Sequence, residues 1–300
     1  MPSDGTGAPD VTVVTPSYGY AHYLRDAIES VAEQRGITVE HVIQDGGSKD
    51  GTIELLKELG DLVEWTSEPD GGQSDALNRA IAKARGRWIA WLNADEFYLP
   101  DGLAALVRAG DAGTADVVYG DTLFSDGDGR LTRVLPQHRF SPFVLRSYGC
   151  FISTVSSIAR RSALGPDPID AQMRRMMDWD LYLRLLGEGA SFRYVPAPVG
   201  VFRAHDTRVT ATERRGFFQR LNRGDGFGRE YDMVRDRYGA MRLRRAGHIA
   251  HGALKLADGA YARQARGRSV HGSDLRWFRS DDTAREWERV RARCYSAGSG

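Results

Sequence analysis

Residues 86–100, GRWIAWLNADEFYLP, contain the strand-to-turn transition from which we predict the fold. Residues 88–92 form an apolar run that is long enough for a buried strand and too short for a helix. A polar segment follows at once: Asn93, Ala94, Asp95 and Glu96. Pro100 and Asp101 then mark the start of a helix. The stretch therefore predicts a strand, a polar turn and a helix, in that order.

The polar turn is a candidate cation site. In an open α/β sheet, ligands bind just beyond the carboxyl ends of the strands. Asn93, Asp95 and Glu96 offer oxygen atoms at that position, and oxygen is the ligand that Mg²⁺ and Mn²⁺ prefer. The alternative is that the two carboxylates only cap the next turn. This stretch alone leaves both interpretations open.

Three further strand–turn–helix units precede this one, and the four together predict a mostly parallel α/β sheet covered by helices. The predicted strands are residues 11–15, 39–44, 62–67 and 88–92. No GxGxxG follows any of them and no GxxxxGK[ST] is present, which disfavours a dinucleotide-binding Rossmann domain. From residue 116 onward the pattern predicts a mixed half with antiparallel strands. Its predicted elements are a hairpin at 124–134, a helix at 178–186 and short strands at 153–159, 192–196 and 199–203.

The composition is that of an ordinary soluble globular protein, with 41% hydrophobic and 27% charged residues. The length of 300 residues suggests one large domain, or a domain with an appendage. No apolar run reaches the length of a bilayer span, and the polar N-terminus is unlike a secretory signal. Cys150 and Cys294 form no metal-binding spacing and are expected to be reduced thiols. We therefore expect a cytoplasmic protein that could also work at the inner membrane surface.

The formal net charge of +1 conceals an uneven distribution. Residues 211–300 carry 20 Lys and Arg against 11 Asp and Glu, whereas residues 1–210 carry 21 against 29. This asymmetry predicts a body that is rich in carboxylates, followed by a basic C-terminal extension.

Two turns near the start of the chain could bind a ligand. The first consists of Thr15, Pro16, Ser17 and Tyr18, which would offer backbone groups at the edge of the sheet. In the second, Asp45 ends a predicted strand just before two glycines that allow a ligand to approach closely. Its carboxylate could accept a hydrogen bond from a base or a ribose hydroxyl, or it could simply cap the next helix.

Four segments in this order resemble the nucleotide-binding half of the family 2 glycosyltransferases, which are inverting enzymes with the GT-A fold. The segments are TPSY at 15–18, DGGSKDGT at 45–52, EPDGGQSDALN at 68–78 and LNADE at 92–96. The resemblance covers about residues 10–205. It implies a Rossmann-like, mostly parallel sheet, a mixed acceptor-side half and a nucleotide-sugar donor.

The resemblance also implies roles for individual residues of the donor site. The turn at 15–18 contacts the nucleotide, Asp45 matches the carboxylate that reads the base, usually uracil, and Asp75 matches a second polar contact. Asn93, Ala94 and Asp95 match the DxD-type motif, which meets the metal and the donor diphosphate. Asn at the first position and Glu96 after the last depart from the family pattern, and Asp95 remains the strongest metal ligand.

The acceptor side of the resemblance supplies a base and a second metal ligand. Asp178, at the start of the predicted helix, matches the catalytic base, and we prefer it to Asp180. The alternative is that Asp178 is an N-cap and Asp180 a partner of the helix dipole. His205, in the segment FRAH, matches a histidine that can complete the metal site, although a lone histidine can equally be structural.

These roles predict an inverting glycosyltransferase that uses Mn²⁺ or Mg²⁺ and moves a sugar from a UDP-linked donor to an acceptor hydroxyl. The acceptor would be a glycan, a lipid-linked molecule or a small molecule. Two alternatives remain. A sugar-1-phosphate nucleotidyltransferase would share the sheet, but residues 15–19 lack the glycine-rich basic loop it needs. The other is a binding module without catalytic activity.

We predict the following division of the chain: a flexible N-terminus at 1–9, a catalytic domain at 10–215, a helical basic extension at 216–295 and a disordered tail at 296–300. The catalytic domain would consist of a nucleotide-binding half, 10–100, and an acceptor half, 101–215. The extension could lie on an anionic membrane, pack on the core or form a dimer contact. Nucleic acid is not expected, because aromatic residues are not interleaved with the basic ones.

Overall fold

The computed structural model describes residues 7–205 and 226–295. The predicted disordered tail, 296–300, lies outside the described residues, as do most of the predicted flexible N-terminus and residues 206–225. The proposed division into domains therefore stays a prediction.

Nine strands within the described residues form one mixed sheet. They are β1 (Val11–Ser17), β2 (Val39–Asp45), β3 (Glu64–Ser67), β4 (Trp88–Trp91), β5 (Phe97–Tyr98), β6 (Val117–Ser125), β7 (Leu131–Leu135), β8 (Ser157–Arg160) and β9 (Phe192–Arg203). The order is β3-β2-β1-β4-β8-β6-β9-β5, with β7 beside β6. The first four strands are parallel, and β8 is antiparallel to both of its neighbours. The predicted α/β fold with a parallel first half and a mixed second half is confirmed.

The helices of the described residues cover the two faces of this sheet. They are α1 (Ala21–Ala32), α2 (Thr52–Glu58), α3 (Gln73–Lys83), α4 (Gly102–Asp111), α5 (Pro142–Ser147), α6 (Arg161–Leu164), α7 (Met177–Gly187), α8 (Gly226–Tyr238), α9 (Arg244–Ala257), α10 (Ala260–Gly267) and α11 (Asp281–Tyr295). The helix predicted at 178–186 is α7.

Alternate side chains of the central strands enter opposite halves of the core, as a pleated strand requires. Val13 belongs to the cluster that contains Leu24 of α1, whereas Val14 belongs to the cluster that contains Leu77 of α3. All seven residues of β1 are buried, because helices cover both of its faces. A strand buried on both sides reads as a continuous apolar run, which explains why the sequence predicted these strands well.

β9 differs from the prediction, which placed two short strands at 192–196 and 199–203. The structure has one strand of 12 residues. Pro196 and Pro198 suggested a break because proline cannot donate to a β-ladder. They are accommodated because the pairing of β6 with β9 shifts register on both sides of Asp121. Gly120 is needed there, since a Cβ atom would lie 2.6 Å from the carbonyl oxygen of Ala197.

The described part of the C-terminal extension is mainly helical and packs on the sheet. Trp277 and Trp287 are buried in the same cluster as Phe97 and Val201. The indole Nε1 of Trp277 donates to the carbonyl oxygen of Tyr98 at 3.0 Å. Of the roles predicted for the extension, packing on the core is therefore observed.

A buried charged group joins α1, β9 and the extension. Asp26 Oδ2 accepts from Arg203 Nη2 at 2.6 Å, and Asp26 Oδ1 accepts from Arg279 Nε at 2.9 Å. Asp26 and Arg203 are each 2% exposed. The carboxylate is thus the shared partner of two guanidinium groups.

Replacing Asp26 with alanine is expected to lower the free energy of unfolding by about 3–5 kcal/mol, because it leaves buried positive charge without its carboxylate. Urea unfolding monitored by circular dichroism measures this. Glu29→Ala on the same helix is the matched control, since it removes only a partly exposed i,i+4 pair with Arg25 and should cost about 0–1 kcal/mol. Equal losses for the two variants would contradict a structural role for this group.

Candidate active site

The ends of β1, β2 and β4 bring the predicted donor residues to one edge of the sheet. Ser17 and Asp45 are paired in the parallel register of β1 and β2. On the other side of β1, the N–H of Leu92 donates to the carbonyl oxygen of Val14 at 3.1 Å. Since parallel strands end on the same side, Asp45 and the segment that contains Asp95 follow neighbouring strand ends. The shared edge that the predicted donor site requires is present.

Asp45 is completely buried and orders the turn that follows it. Its Oδ2 accepts from the N–H groups of Gly47 and Ser48 and from the hydroxyl of Ser67, at 3.0, 2.9 and 2.7 Å. Its Oδ1 accepts from the Ser48 hydroxyl at 2.5 Å. A carboxylate oxygen has two acceptor sites, so Oδ1 retains one. Asp45 therefore orders the turn and does not cap α2, whose N-cap residue is Gly51. The base-reading role stays a prediction.

The side chains of the segment 15–18 differ in their exposure to solvent. β1 runs through Ser17, so Pro16 and Ser17 lie in the strand and not in a turn as predicted. Thr15 is buried, with Oγ1 2.9 Å from Nε2 of His41. Tyr18 is 70% exposed. Its side chain lies beside Gly46, where an added Cβ would come within 3.2 Å of the Tyr18 ring. Tyr18 is therefore the side chain of this segment that a ligand can reach.

Asp75 lies in the first turn of α3 and holds the preceding loop. Its Oδ2 accepts from the N–H of Gly71 at 2.8 Å and pairs with Arg79 Nη2 at 2.7 Å. The hydrogen bond from Gly71 and the Arg79 guanidinium lower the pKa of this carboxyl group. A nucleotide contact of Asp75 stays a prediction, and its observed partners belong to the loop.

Asp95 and His205 meet although 110 residues separate them. Asp95 Oδ2 lies 3.0 Å from His205 Nε2, and both side chains are nearly buried. The imidazole packs beside the ring of Tyr23, with centroids 4.4 Å apart, and edge-on to Tyr20. The structure therefore places together the two residues that the sequence predicted as metal ligands.

Asn93 and Glu96 shape the turn around Asp95. Asn93 Nδ2 donates to Glu96 Oε2 at 3.0 Å, and Asn93 Oδ1 accepts from Trp91 Nε1 at 2.9 Å. Asn93 Oδ1 also accepts from Gln73 Nε2 at 2.8 Å, which links the turn to the start of α3. The side chains that depart from the family's DxD pattern thus bind one another across the turn.

The Asp95–His205 pair fits a hard divalent ion that also binds a substrate. Mg²⁺ binds ligands at about 2.1 Å in octahedral geometry, so adjacent ligands lie about 3 Å apart. The 3.0 Å between Asp95 Oδ2 and His205 Nε2 is a hydrogen-bond distance, and it is also close to that spacing. In residues 7–205 and 226–295, no group of three or more His, Cys, Asp or Glu side chains is arranged to hold a metal. Two protein ligands leave positions for the oxygen atoms of a diphosphate.

The environment of Asp178 raises the pKa of its carboxyl group, which makes the carboxylate a stronger base. It lies in the first turn of α7, and its Oδ1 accepts from the N–H of Trp179 at 2.7 Å. Burial raises the pKa of Asp178 to about 6, against the opposing effects of that hydrogen bond and of the nearby Cys150 thiol. The carboxylate is therefore ionised near neutral pH and binds a proton more strongly than an ordinary aspartate.

Asp180 is committed to the fold. It is 2% exposed, and its Oδ1 accepts from Arg237 Nη1 at 2.8 Å and from the Tyr238 hydroxyl at 3.0 Å. Both partners lie in α8, so Asp180 joins α7 to the C-terminal extension. This difference in environment supports the choice of Asp178 as the base.

Two adjacent residues of α3, which the sequence did not single out, connect the two halves of the site. Gln73 bonds Asn93, as described above. Ser74 Oγ donates to the carbonyl oxygen of Met173 at 2.6 Å and lies 3.7 Å from the sulfur of Met177, the residue before Asp178. The start of α3 thus contacts both the turn that carries Asp95 and the segment that leads to Asp178.

Glu230 of α8 was also missed, and it fixes the approach to α7. Its Oε2 accepts from the N–H groups of Arg175 and Met176 at 2.8 and 3.0 Å. Asp121 is another fully buried carboxylate with distant partners. It accepts from Arg263 Nε at 3.1 Å and from the Tyr194 hydroxyl at 2.6 Å. No local pattern predicts such partners, because they are far apart in the chain.

Comparison with known proteins places this geometry in context. The family model described as "Glycosyl transferase family 2" matches residues 12–175. The chain is 35% identical over 133 residues to the succinoglycan biosynthesis protein ExoO of Rhizobium meliloti, covering 43% of this chain and 38% of that protein. It is 27% identical over 221 residues to an uncharacterized glycosyltransferase of Rickettsia typhi, covering 69% and 68%. The alignment thus spans well under half of ExoO.

Solved structures share the fold at low sequence identity. S. aureus TarS 1-349 in complex with UDP-GlcNAc superposes with a TM-score of 0.54 and 14% identity, over 94% of this chain and 91% of that chain. The mannosyltransferase PcManGT from Pyrobaculum calidifontis, in complex with GDP-Man and Mn²⁺, gives 0.52 and 18%, over 97% and 89%. These likenesses confirm the GT-A architecture.

Proposed function

Because this chain belongs to glycosyl transferase family 2 and is therefore a glycosyltransferase, we propose that it transfers a sugar from a UDP-linked donor to an acceptor hydroxyl with inversion. The proposal assigns Asp178 as the general base and Asp95 with His205 as the holders of a divalent ion. One observation carries it: Gln73 and Ser74 join the Asp95 turn and the Asp178 helix at one edge of the sheet.

The donor side of the proposal rests on Asp45 and the Asp95 turn. Asp45 Oδ1, with one remaining acceptor site, suits the N–H of a pyrimidine base. The hydroxyl of Ser17, next to it in the register, is buried and has no hydrogen-bond partner among the described residues. A divalent ion held by Asp95 and His205 would supply positive charge beside the diphosphate oxygens. The two structural neighbours hold UDP-GlcNAc and GDP-Man, so the preference for UDP depends on Asp45.

The acceptor side rests on Asp178. Its carboxylate accepts the proton of the acceptor hydroxyl while the oxygen forms a bond to the anomeric carbon. The bond from that carbon to the diphosphate breaks, and its electron pair leaves with the nucleoside diphosphate. The proton then passes from Asp178 to solvent. One displacement inverts the anomeric centre and needs no covalent intermediate.

The products distinguish this function from the alternatives. A glycosyltransferase that slowly hydrolyses UDP-glucose or UDP-GlcNAc releases UDP, whereas a sugar-1-phosphate nucleotidyltransferase forms or consumes pyrophosphate. We expect UDP release with Mn²⁺ and little with a chelator. Pyrophosphate turnover would support the nucleotidyltransferase, and donor binding without any turnover would support a binding module. The acceptor class and a cytoplasmic location remain predictions from the sequence.

The pKa of Asp178 makes a prediction for pH dependence. Because the carboxylate must be ionised to accept a proton, kcat/KM is expected to be half-maximal near pH 6, to level off about one unit above it and to fall about tenfold per unit well below it. A rate profile between about pH 5 and pH 8 at saturating Mn²⁺ measures this. The variant Asp180→Asn should keep the inflection. Loss of the inflection in that variant, or a flat wild-type profile, would contradict the assignment.

A further inference from the structure

The helix α9 exposes apolar side chains. Ile249 and Leu256 are 74% and 72% exposed and lie seven residues apart, on one line along the helix. Lys255 and Gly247 are buried on the inner side, where His251 also lies. A surface helix normally turns its apolar side toward the core and its charged side toward water. α9 packs Ala250 and Leu254 on the core but also exposes Ile249 and Leu256 on its outer side. This second apolar side indicates that the outer side meets something other than water.

Exposed apolar groups are concentrated in this part of the molecule. Seven large hydrophobic side chains are exposed among the described residues, and four of them fall within residues 243–261: Leu243, Ile249, Leu256 and Tyr261. A fifth, Phe143, is in α5, the helix that packs against α9. Scattered single apolar residues need no explanation, but a cluster of this kind marks an interaction surface.

The same surface is strongly basic. Residues 239–270 contain seven Lys and Arg and one acidic residue, Asp258. Asp258 is already paired with Arg139. Arg242 and Arg245 are exposed, and Arg245 lies one helical turn before Ile249 on the same line. Positive charge and aliphatic side chains therefore face outward together.

The combination of positive charge and exposed apolar area distinguishes between two candidate partners, a second copy of the chain and an anionic membrane. A second copy docked by a twofold axis would place the same arginines against one another, which is unfavourable. A bilayer with anionic lipids complements both features, since aliphatic side chains enter the acyl boundary while arginines bind the phosphates. We propose that α9, through Leu243, Ile249 and Leu256 flanked by Arg242 and Arg245, docks on an anionic membrane surface. No helix of the described residues is long and apolar enough to span a bilayer, so the contact would be peripheral.

The docking helix α9 packs against the segment of the acceptor half that leads toward Asp178. The ring of His251, on the inner side of α9, stacks on Tyr148 at 3.9 Å. Cys150, two residues later, lies close enough to Asp178 to influence the pKa of its carboxyl group. If the proposed transferase function holds, membrane docking would bring a lipid-linked acceptor to Asp178. Only this link to the acceptor rests on the proposed function; the docking itself does not.

Sedimentation of the full chain with lipid vesicles tests the proposal. Vesicles of phosphatidylglycerol and phosphatidylcholine are compared with phosphatidylcholine alone, at low and high salt. We expect binding to the anionic vesicles that weakens with salt. Ile249→Ser combined with Leu256→Ser should weaken it at least about tenfold. Arg242→Gln combined with Arg245→Gln should weaken it about 25-fold, at about fivefold per arginine.

The matched controls are exposed residues elsewhere. Leu62→Ser changes a 46% exposed leucine beside β3, at the far edge of the sheet. Lys57→Gln combined with Arg108→Gln removes two exposed charges from α2 and α4. Both should bind anionic vesicles as the wild type does, and circular dichroism should show that all variants are folded.

Three results would overturn the proposal. They are equal affinity for neutral and anionic vesicles, equal losses in the control variants, and a wild-type dimer that the Ile249 and Leu256 substitutions dissociate while vesicles do not bind. The assay contains no donor. Failure to bind vesicles therefore leaves the transferase proposal intact, and a protein that binds vesicles but turns over no nucleotide sugar contradicts only that proposal.

Discussion

Replacing Asp178 with asparagine is expected to reduce turnover about 10²–10⁴-fold, which is the usual contribution of a general base. The amide keeps the size of the side chain and can still accept from the Trp179 N–H, but it cannot take up the proton of the acceptor. The dissociation constant of the donor should change less than about twofold. The proton transfer that Asp178 performs occurs in the transition state, so its loss does not weaken binding of the donor in the ground state. Steady-state rates and calorimetric titration of UDP with Mn²⁺ measure the two quantities.

Asp180→Asn is the matched control for this experiment, because it makes the same chemical change two residues away. It weakens the contacts with Arg237 and Tyr238 and should cost about 1–3 kcal/mol of folding free energy. Turnover per folded molecule should be nearly unchanged. If Asp180→Asn lost turnover while Asp178→Asn kept it, the roles of the two residues would be the reverse of those proposed.

Replacing Asp95 with asparagine is expected to reduce turnover at least about 100-fold, since it removes the negative oxygen that would hold the divalent ion next to the diphosphate. His205→Gln should have a similar but smaller effect, because it removes a neutral ligand and keeps the Asp95 carboxylate, the type of ligand that Mg²⁺ and Mn²⁺ prefer. In both variants the affinity for Mn²⁺ in the presence of UDP should fall about 10–100-fold. Electron paramagnetic resonance of free Mn²⁺ measures that affinity without requiring turnover.

Glu96→Gln is the control for the metal variants. Glu96 is buried, and its observed partner Asn93 can also bond an amide. The affinity for Mn²⁺ should therefore remain within about threefold of the wild type. That change corresponds to less free energy than a single hydrogen bond contributes. A loss as large as that of Asp95→Asn would show that Glu96 also binds the ion, in contradiction of the proposed ligand pair.

The fold could be predicted from the sequence where local pattern and burial agree. β1 and β4 are buried on both faces, so each reads as an apolar run closed by a polar turn. β9 could not be predicted as one strand, because Pro196 and Pro198 indicate a break. Only the partner strand β6 shows that the register shift accommodates them.

The candidate site was predictable in part: the strand ends indicated Asp45 and the Asp95 turn, and the family resemblance supplied Asp178 and His205. Nothing in the spacing of the chain could pair Asp95 with His205, since no periodicity reaches across 110 residues. The sequence preferred Asp178 to Asp180, and the partners of Asp180, which lie in α8, add a reason that the sequence could not give. Gln73 and Ser74 gave no signal, because polar residues in the first turn of a helix are common at any protein surface.

The configuration of the sugar released from an α-linked UDP-sugar tests the central claim most directly. Nuclear magnetic resonance of fresh hydrolysis products, recorded before the anomers interconvert, distinguishes the two outcomes. A single displacement that uses Asp178 as the base and a divalent ion held by Asp95 and His205 predicts the β anomer, formed with Mn²⁺ and not with a chelator. The α anomer as the first product, or hydrolysis that is indifferent to the metal, would contradict it.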